Sequence, residues 1–254
     1  MTGNTGLRRF VAGSAAAPPA AAPPPAAPSA GSAAEAPAAS APPRPGEETC
    51  EFCAAQIPAD HGHVADLEQS MLMCSCRACY LLFTHSGAGQ TRQQPPQPGD
   101  DRHLGRARYR SIPDRYRNDP GRPLTVADWD ALEIPVGLAF FLRRSADDAV
   151  TAFYPSPAGA TECRLDLEAW SRIAAAHPLL NAAEPDVEAV LISRGPVDRD
   201  VIDCFLVPID ACYELAGRMR LQWRGFDGGA EARQSIADFL DRVRERSRNL
   251  SQEP

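Results

Sequence analysis

Residues 72–83, LMCSCRACYLLF, put three cysteines within six residues, and residues 50–53, CEFC, supply two more. The sequence thus contains two CxxC pairs with 22 residues between them, a spacing typical of structural zinc sites. A CxxC turn points two thiolates in the same direction, and two such turns complete a tetrahedron around one ion. The spacing predicts four metal ligands: Cys50, Cys53, Cys76 and Cys79.

Three further side chains are candidates for an additional ligand or for a supporting contact at this site. Cys74 lies two residues before Cys76, where it could displace a ligand or remain a buried thiol. His61 and His63 precede the segment, where each could bind the metal, hydrogen-bond a cysteine sulfur or serve as a polar turn residue. The residue pattern leaves these alternatives open.

The residues between the CxxC pairs predict a small metal-stabilised fold. HVADLE, residues 63–68, alternates like a strand, QS can turn, and MLMCS, residues 71–75, can return as a second strand. RACYLLFTH, residues 77–85, is typical of a short helix, whose N-terminus should favour the thiolate at Cys79. Knuckle, hairpin and helix follow each other in the treble-clef order. A segment of about 40 residues has too small a core to fold alone, so metal binding would supply free energy of folding.

Zinc is the predicted metal, and iron is the alternative. Four thiolates also suit a rubredoxin-like single iron. Rubredoxin-type turns use glycine after the second cysteine, but Ala54 and Tyr80 occupy these positions here. The sequence therefore favours zinc.

Composition divides the 254 residues into four regions. The first is almost entirely Ala, Pro, Ser and Gly between residues 14 and 45, which predicts disorder. Gly, Gln and Pro then mark a linker that leads into RHLGRARYRSIPDRYRNDPGR, residues 102–122, here called the arginine strip. The predicted regions are a disordered tail (1–46), a four-cysteine metal module (47–86, the cysteine module), a linker with the arginine strip (87–122) and an α+β domain (123–248).

Residues 123–248 alternate between helix and hairpin signals. LTVADWDALEIP predicts a helix capped by Thr125, and VGLAFFLRR with AVTAFYP predicts a hairpin. LDLEAWSRIAAAHP predicts a helix with Leu167, Trp170 and Ile173 or Ala174 on its apolar face, and VEAVLIS with VIDCFLVP predicts a second hairpin. Two more helices follow, the first capped by Asp210. This order predicts an antiparallel four-stranded sheet with helices packed on one face.

Composition also excludes several classes of function. All 26 basic residues are arginine, which rules out a lysine Schiff base, a pyridoxal-phosphate anchor and a Walker-type phosphate loop. The net charge of −7 argues against a general nucleic-acid binder. GxSxG, HExxH and glycine-rich phosphate motifs are absent from the sequence, so nothing marks an enzyme.

Cysteine usage and hydropathy bear on the compartment. Five of the eight cysteines cluster at metal-ligand spacing, and Cys163, Cys204 and Cys212 are scattered. This usage favours a reducing cytoplasm. The sequence has no run of about 18 apolar residues, so we expect no membrane span. Cys204 and Cys212 are expected to serve packing, and Cys163 to lie in a loop.

The arginine strip allows three interpretations. Its arginines and tyrosines could bind RNA through phosphate contacts and stacking. It could dock an acidic protein partner. The interpretation that the acidic balance favours is an exposed strand crossing an acidic body.

Several motifs together resemble one family: CEFC…HGHVADLE…CSCRACYLLF, LEIPVGLAFFLR, AFYPSPAGATE, EPDVEAVLI, VPIDACYELAGRMR and WRGFDGG. This is an uncharacterised family of high-GC Gram-positive bacteria, a domain of unknown function whose genes lie beside those for uptake nickel–iron hydrogenases. The resemblance covers about residues 47–247, and Cys74 follows the family pattern. It implies an accessory role in hydrogenase assembly or electron transfer, with a hydrogenase subunit or maturation factor as the protein partner.

The predicted function is therefore a non-enzymatic, zinc-containing accessory protein that acts through protein–protein contacts. The first alternative is a rubredoxin-like iron electron carrier linked to the hydrogenase. The second is a nucleic-acid-binding regulator, which the acidic balance makes the weakest of the three.

Overall fold

The computed structural model of the protein describes residues 48–84, 108–195, 200–225 and 228–252. The predicted disordered tail and the first part of the linker region lie outside these ranges. The described residues form two sheets with helices around them, an α+β fold whose strands pair antiparallel except for the short parallel pair β4–β10. The strands are β1 Gly62–Asp66, β2 Met71–Ser75, β3 Tyr109–Ser111, β4 Arg117–Asn118, β5 Leu138–Arg143, β6 Val150–Ser156, β7 Gly159–Cys163, β8 Glu188–Arg194, β9 Ile202–Pro208 and β10 Arg248–Asn249. The helices are α1 Arg77–Leu82, α2 Val126–Ala131, α3 Leu167–Ala176, α4 Ile209–Gln222 and α5 Gly229–Arg246, with short 3₁₀ turns at Pro178–Asn181 and Leu250–Gln252.

The cysteine module forms the smaller sheet together with the arginine strip. β1 and β2 pair antiparallel as the predicted hairpin, and α1 follows directly. β3, which comes from the arginine strip, pairs with the other edge of β1 and gives the order β2-β1-β3. β3 therefore belongs to the same sheet as β1 and β2 and precedes all strands of the larger sheet.

The larger sheet is built around the two predicted hairpins. Its order is β10-β4-β9-β8-β5-β6-β7, with β5 paired to β6 and β8 paired to β9. β7 adds a third strand to the first hairpin, and β4 and β10 are short strands of two residues each at the opposite end of the sheet. The predicted four strands are thus the centre of a sheet of seven.

Helices cover both faces of this sheet, so the prediction of helices on one face is wrong. Six of the seven residues of β8 are buried, and its four apolar residues, 189–192, alternate between two apolar cores. Ala189 and Leu191 contribute to a core with α4 and α5, whereas Val190 and Ile192 contribute to a core with α2 and α3. A central strand without a polar face requires a layer on each side.

The predicted helix starts are right in one case and wrong in another. Thr125 caps α2 in a capping box with Asp128, as predicted. Asp210 is not the cap of α4, because that helix already begins at Ile209, after Pro208. In α3, Trp170, Ile173 and Ala174 are buried as predicted, together with Ala169, whereas Leu167 is 55% exposed and does not belong to the buried face.

The small sheet packs on the α4–α5 face of the large one. Ala65 from β1 and Ile112 and Tyr116 from the arginine strip belong to the same apolar core as Phe140 and Leu215. The cysteine module therefore shares a core with the rest of the protein. Within the described ranges, no helix combines the length and apolar character needed to cross a membrane.

Candidate metal centre

The first CxxC pair lies in a tight turn before β1. The Cys50 N–H donates to the Ala55 carbonyl at 2.8 Å, and the Ala54 N–H donates to the Cys50 carbonyl at 2.8 Å. Ala54 has a positive φ of 59°, the left-handed conformation in which glycine is usual. The turn thus has a glycine-like conformation although its sequence lacks glycine.

The second CxxC pair lies at the start of α1. Cys76 is the N-cap of the helix, and its Sγ accepts the backbone N–H of Cys79 at 3.5 Å. Cys79 is the third helical residue, so both side chains lie at the helix N-terminus. This is the predicted position of the pair.

The fold brings the four predicted ligands together. The Sγ atoms of Cys50, Cys53, Cys76 and Cys79 all lie within 4.8 Å of one another, and those of Cys53 and Cys76 are 3.7 Å apart. Tetrahedral zinc with Zn–S bonds of about 2.3 Å separates its sulfurs by about 3.8 Å. The four thiols therefore fit one tetrahedral ion. Cys50 is 1% exposed, whereas Cys53 lies at the surface.

The electrostatics of the four thiols call for a cation. Burial opposes ionisation of Cys50, but backbone hydrogen bonds, the first from Cys76, outweigh it and lower its pKa to about 6. Burial, followed by hydrogen bonds with Cys76 and Cys53, raises the pKa of Cys79 to about 12. When one thiol ionises, its negative charge opposes ionisation of the neighbouring thiols unless a positive ion balances the group.

An aromatic cluster, which the sequence did not reveal, packs around the first turn. The rings of Phe52, Phe83 and Tyr109 lie with centroids 5.0–5.5 Å apart. They come from the CxxC turn, the end of α1 and β3, so only the folded chain brings them together. The cluster joins the cysteine module to the arginine strip.

The three additional candidates form a separate group. One donor atom from each of His61, His63 and Cys74 lies within 4.8 Å of the other two, and this group shares no residue with the four cysteines. His63 stands opposite Cys74 in the β1–β2 pair. The structure thus places these side chains beside the four-cysteine group.

The remaining thiols lie elsewhere in the large sheet and α4. All eight cysteines are free thiols. Cys212 is fully buried in the core, and burial raises its pKa well above the usual value. Cys204 packs against the other core while partly buried. Cys163 ends β7, which corrects the prediction of a loop.

Three of the described arginines of the arginine strip form ion pairs within the protein. Arg108 donates to Asp66 at 2.8 Å, and Arg110 donates to Glu184 at 2.6 Å. Arg115 makes two hydrogen bonds to Glu188, at 2.7 and 2.5 Å, and that carboxylate is fully buried. These arginines neutralise carboxylates of the same chain.

Comparison with known proteins adds one finding to this geometry. Residues 49–247 match the sequence profile of a family described as a family of unknown function, DUF5947. The match spans the four cysteines, the group formed by His61, His63 and Cys74, and every strand of the large sheet except β10. The chain matches no curated protein and no solved structure.

Proposed function

The chain belongs to this family of unknown function, and we propose that it is a non-enzymatic accessory protein whose cysteine module is stabilised by zinc. The ion would be bound by four thiolates: Cys50, Cys53, Cys76 and Cys79. The observation that carries the proposal is the proximity of these sulfurs, all within 4.8 Å of one another. We assign the turn, hairpin and helix around them to the treble-clef type.

The small core of the module supports a structural role for the ion. Among its described residues, the buried apolar ones are Cys50, Ile57, Val64 and Ala65. α1 contains no buried residue. A segment with so little apolar burial needs another source of free energy, and a bound zinc ion supplies it by linking the CxxC turn to the helix.

A protein partner is the proposed target. The module exposes three large apolar side chains, Met71 (51%), Leu81 (48%) and Leu82 (62%). Leu81 and Leu82 are neighbours at the end of α1, and exposed apolar side chains that form a patch mark contact surfaces more often than isolated ones do. The resemblance to a family encoded beside uptake nickel–iron hydrogenases in high-GC Gram-positive bacteria supports a hydrogenase subunit or maturation factor as the partner. Eight free cysteines support a reducing cytoplasm.

Two measurements test this proposal. Protein expressed with iron and zinc available, and purified without a metal-binding tag, is expected to hold zinc in the four-cysteine group and to show no visible absorbance.

Pull-down with the full chain from a hydrogen-oxidising host is expected to recover a hydrogenase-cluster product. Leu82→Arg should reduce that recovery, whereas Leu221→Arg, at a 73% exposed site on α4, should not. Recovery of no such product, or equal recovery by both variants, contradicts the proposal.

A rubredoxin-like iron electron carrier is the second candidate, and two observations favour it. Cys53 is exposed, so electrons could enter or leave at this edge of the site. Ala54 adopts the left-handed conformation that rubredoxin-type turns obtain from glycine. Iron in the purified protein, with a charge-transfer spectrum that bleaches on reduction, would establish this function and exclude the structural zinc.

A nucleic-acid-binding regulator gains no support from three of the described arginines of the strip. Arg108, Arg110 and Arg115 are directed to carboxylates of the same chain. Phosphate binding would have to break these ion pairs, one of which contacts a buried carboxylate.

A further inference from the structure

The strand pairing of the cysteine module creates a second group of metal-binding side chains. His63 and Cys74 are directly opposite each other in the antiparallel pair β1–β2, so their side chains lie on the same face of the sheet. His61 precedes His63 by two residues and lies on that face as well, with the two ring centroids 4.8 Å apart. One donor atom from each of the three residues lies within 4.8 Å of the others.

Hydrogen bonds fix the tautomer of His61. Its Nδ1 lies 2.8 Å from the Pro58 carbonyl, which can only accept, so Nδ1 carries the proton. Nε2 is then the atom with the free lone pair. The side chain is 6% exposed, and the buried Nε2 has no hydrogen-bond partner among the described residues. A buried acceptor without a partner is destabilising, and a ligand bound at this nitrogen would remove that penalty.

His63 is oriented by a carboxylate from a distant element. Its Nδ1 lies 2.8 Å from Oδ2 of Asp210 in the first turn of α4. A carboxylate accepts a hydrogen bond, so Nδ1 carries the proton. Nε2 is then the ring nitrogen that can bind a metal ion. Metal-binding histidines in proteins are oriented in this way, because the carboxylate fixes the ring and increases its basicity.

We propose that His61, His63 and Cys74 form a second metal site, for a divalent transition-metal ion of the zinc, cobalt and nickel class. Two imidazoles and one thiolate are the donors that such borderline ions prefer. The site is separate from the four-cysteine group, because the two share no residue. It goes beyond the proposed function and does not depend on which metal the four cysteines bind.

Three protein ligands distinguish this site from the first in chemical behaviour. A tetrahedral ion with three protein ligands keeps a fourth position for water or an incoming ligand, whereas four cysteines close the coordination shell. The His63 side chain is 29% exposed and Cys74 is partly exposed, so the group reaches the surface. The second ion is therefore expected to bind more weakly than the first and to exchange more readily.

Metal counting on the full chain tests the proposal. Apoprotein titrated with Co²⁺ is expected to bind two equivalents, with the thiolate-rich spectrum of the first distinct from that of the second. His61→Gln and Cys74→Ser should each lose one equivalent and keep the four-cysteine spectrum. Cys163→Ser and His177→Gln, which alter a thiol and an imidazole outside both groups, should keep two equivalents. One equivalent in the unaltered chain, or two in the His61 and Cys74 variants, overturns the proposal.

Nuclear magnetic resonance of the unaltered chain gives a test that does not depend on the folding of a variant. The probe is Zn²⁺ added to ¹⁵N-labelled protein, with long-range ¹H–¹⁵N correlations of the five histidines as the readout. The second equivalent is expected to shift Nε2 of two histidines while their Nδ1 atoms stay protonated. If no histidine responds once the four-cysteine group is filled, the second site does not exist.

Discussion

The large sheet has an apolar core on each face, whereas the cysteine module has only one small patch that it shares with its neighbour. β8 alone buries six of its seven residues, and α1 buries none. Three other groups stabilise the module in place of a large apolar core: the four thiols that can hold a metal ion, the aromatic cluster and the ion pairs of the arginine strip. Burial of apolar area stabilises the large sheet without a cofactor, while the module depends on groups that a single substitution or a chelator can remove.

Metal removal should separate the two regions most clearly. The apparent free energy of structural zinc binding is about 10–16 kcal/mol at neutral pH, larger than the stability of a typical domain. After chelation, amides of β1, β2 and α1 should lose protection from hydrogen exchange, and those of β8 and β9 should keep it. Equal protection of the module with and without metal would show that the shared core alone holds it.

Substitution of Arg115 should have the next largest effect, because it leaves a buried charge without its partner. Glu188 is fully buried and receives two hydrogen bonds from Arg115. Arg115→Met should lower the free energy of unfolding in urea by about 3–5 kcal/mol. Arg144→Met breaks an exposed pair with Asp147 and should cost at most about 1 kcal/mol.

The double variant Arg115→Met with Glu188→Met distinguishes the cost of an unpaired buried charge from the contribution of the ion pair itself. Replacing both partners removes the uncompensated charge, so the double variant should recover much of the lost stability. If Arg115→Met and Arg144→Met lose equal stability, the buried ion pair contributes no more to stability than the exposed one.

These two regions also differ in how far the sequence revealed them. The CxxC spacing predicted which four sulfurs meet, and strand-length apolar runs predicted the hairpins β5–β6 and β8–β9. The run EAVLIS in β8 also contains the signal for two helical layers, since a strand with no polar face is buried on both sides. The prediction of helices on one face overlooked that signal.

Other features have no local signal. β4 and β10 contain two residues each, too few for a periodic pattern. Asp210 has the residue type and, in the sequence, the position of a helix cap. Its side chain instead contacts His63, which lies 147 residues away in the sequence and gives no local signal. The pKa of Cys79 depends on its burial and on the thiols of Cys76, Cys53 and Cys50 beside it, and only the folded geometry determines these neighbours.

Two glycines, Gly62 in the cysteine module and Gly217 in α4, differ in the space around a Cβ atom and give a third comparison of the two regions. A Cβ on Gly62 would lie 2.6 Å from Cδ2 of Tyr80, whose hydroxyl donates to the Ile112 carbonyl and holds the ring in place. Gly62→Ala should therefore destabilise the protein by about 1–3 kcal/mol. Gly217 in α4 has open space around the same position, so Gly217→Ala should stabilise by about 0.5–1 kcal/mol. Thermal unfolding with metal bound measures both; destabilisation by both variants would rule out the ring contact as the cause.

A smaller, pH-dependent effect is expected at the ion pair between β1 and the arginine strip. The hydrogen bond from Arg108 holds the pKa of Asp66 below its usual value. This stability is fully present above the unfolded pKa of about 3.9 and is lost as the pH falls through the lower folded pKa. Asp66→Asn should therefore be less stable than the unaltered protein at pH 6, and the difference should shrink below pH 4. Asp147→Asn, at an exposed site, serves as the control, and a difference that is constant with pH would contradict the assignment.

The smallest expected change is a gain in stability at the CxxC turn. Ala54 is held at a φ of 59°, where an L side chain costs about 1–2 kcal/mol, and glycine adopts this conformation without that cost. Part of the gain is offset because glycine has more freedom in the unfolded chain. Ala54→Gly should thus stabilise the metal-bound protein by up to about 1 kcal/mol and slow metal release to a chelator. Ala55→Gly, the neighbouring position without a positive φ, should give no gain. If Ala54→Gly instead speeds metal release, the side chain at this position contributes contacts that outweigh the backbone strain.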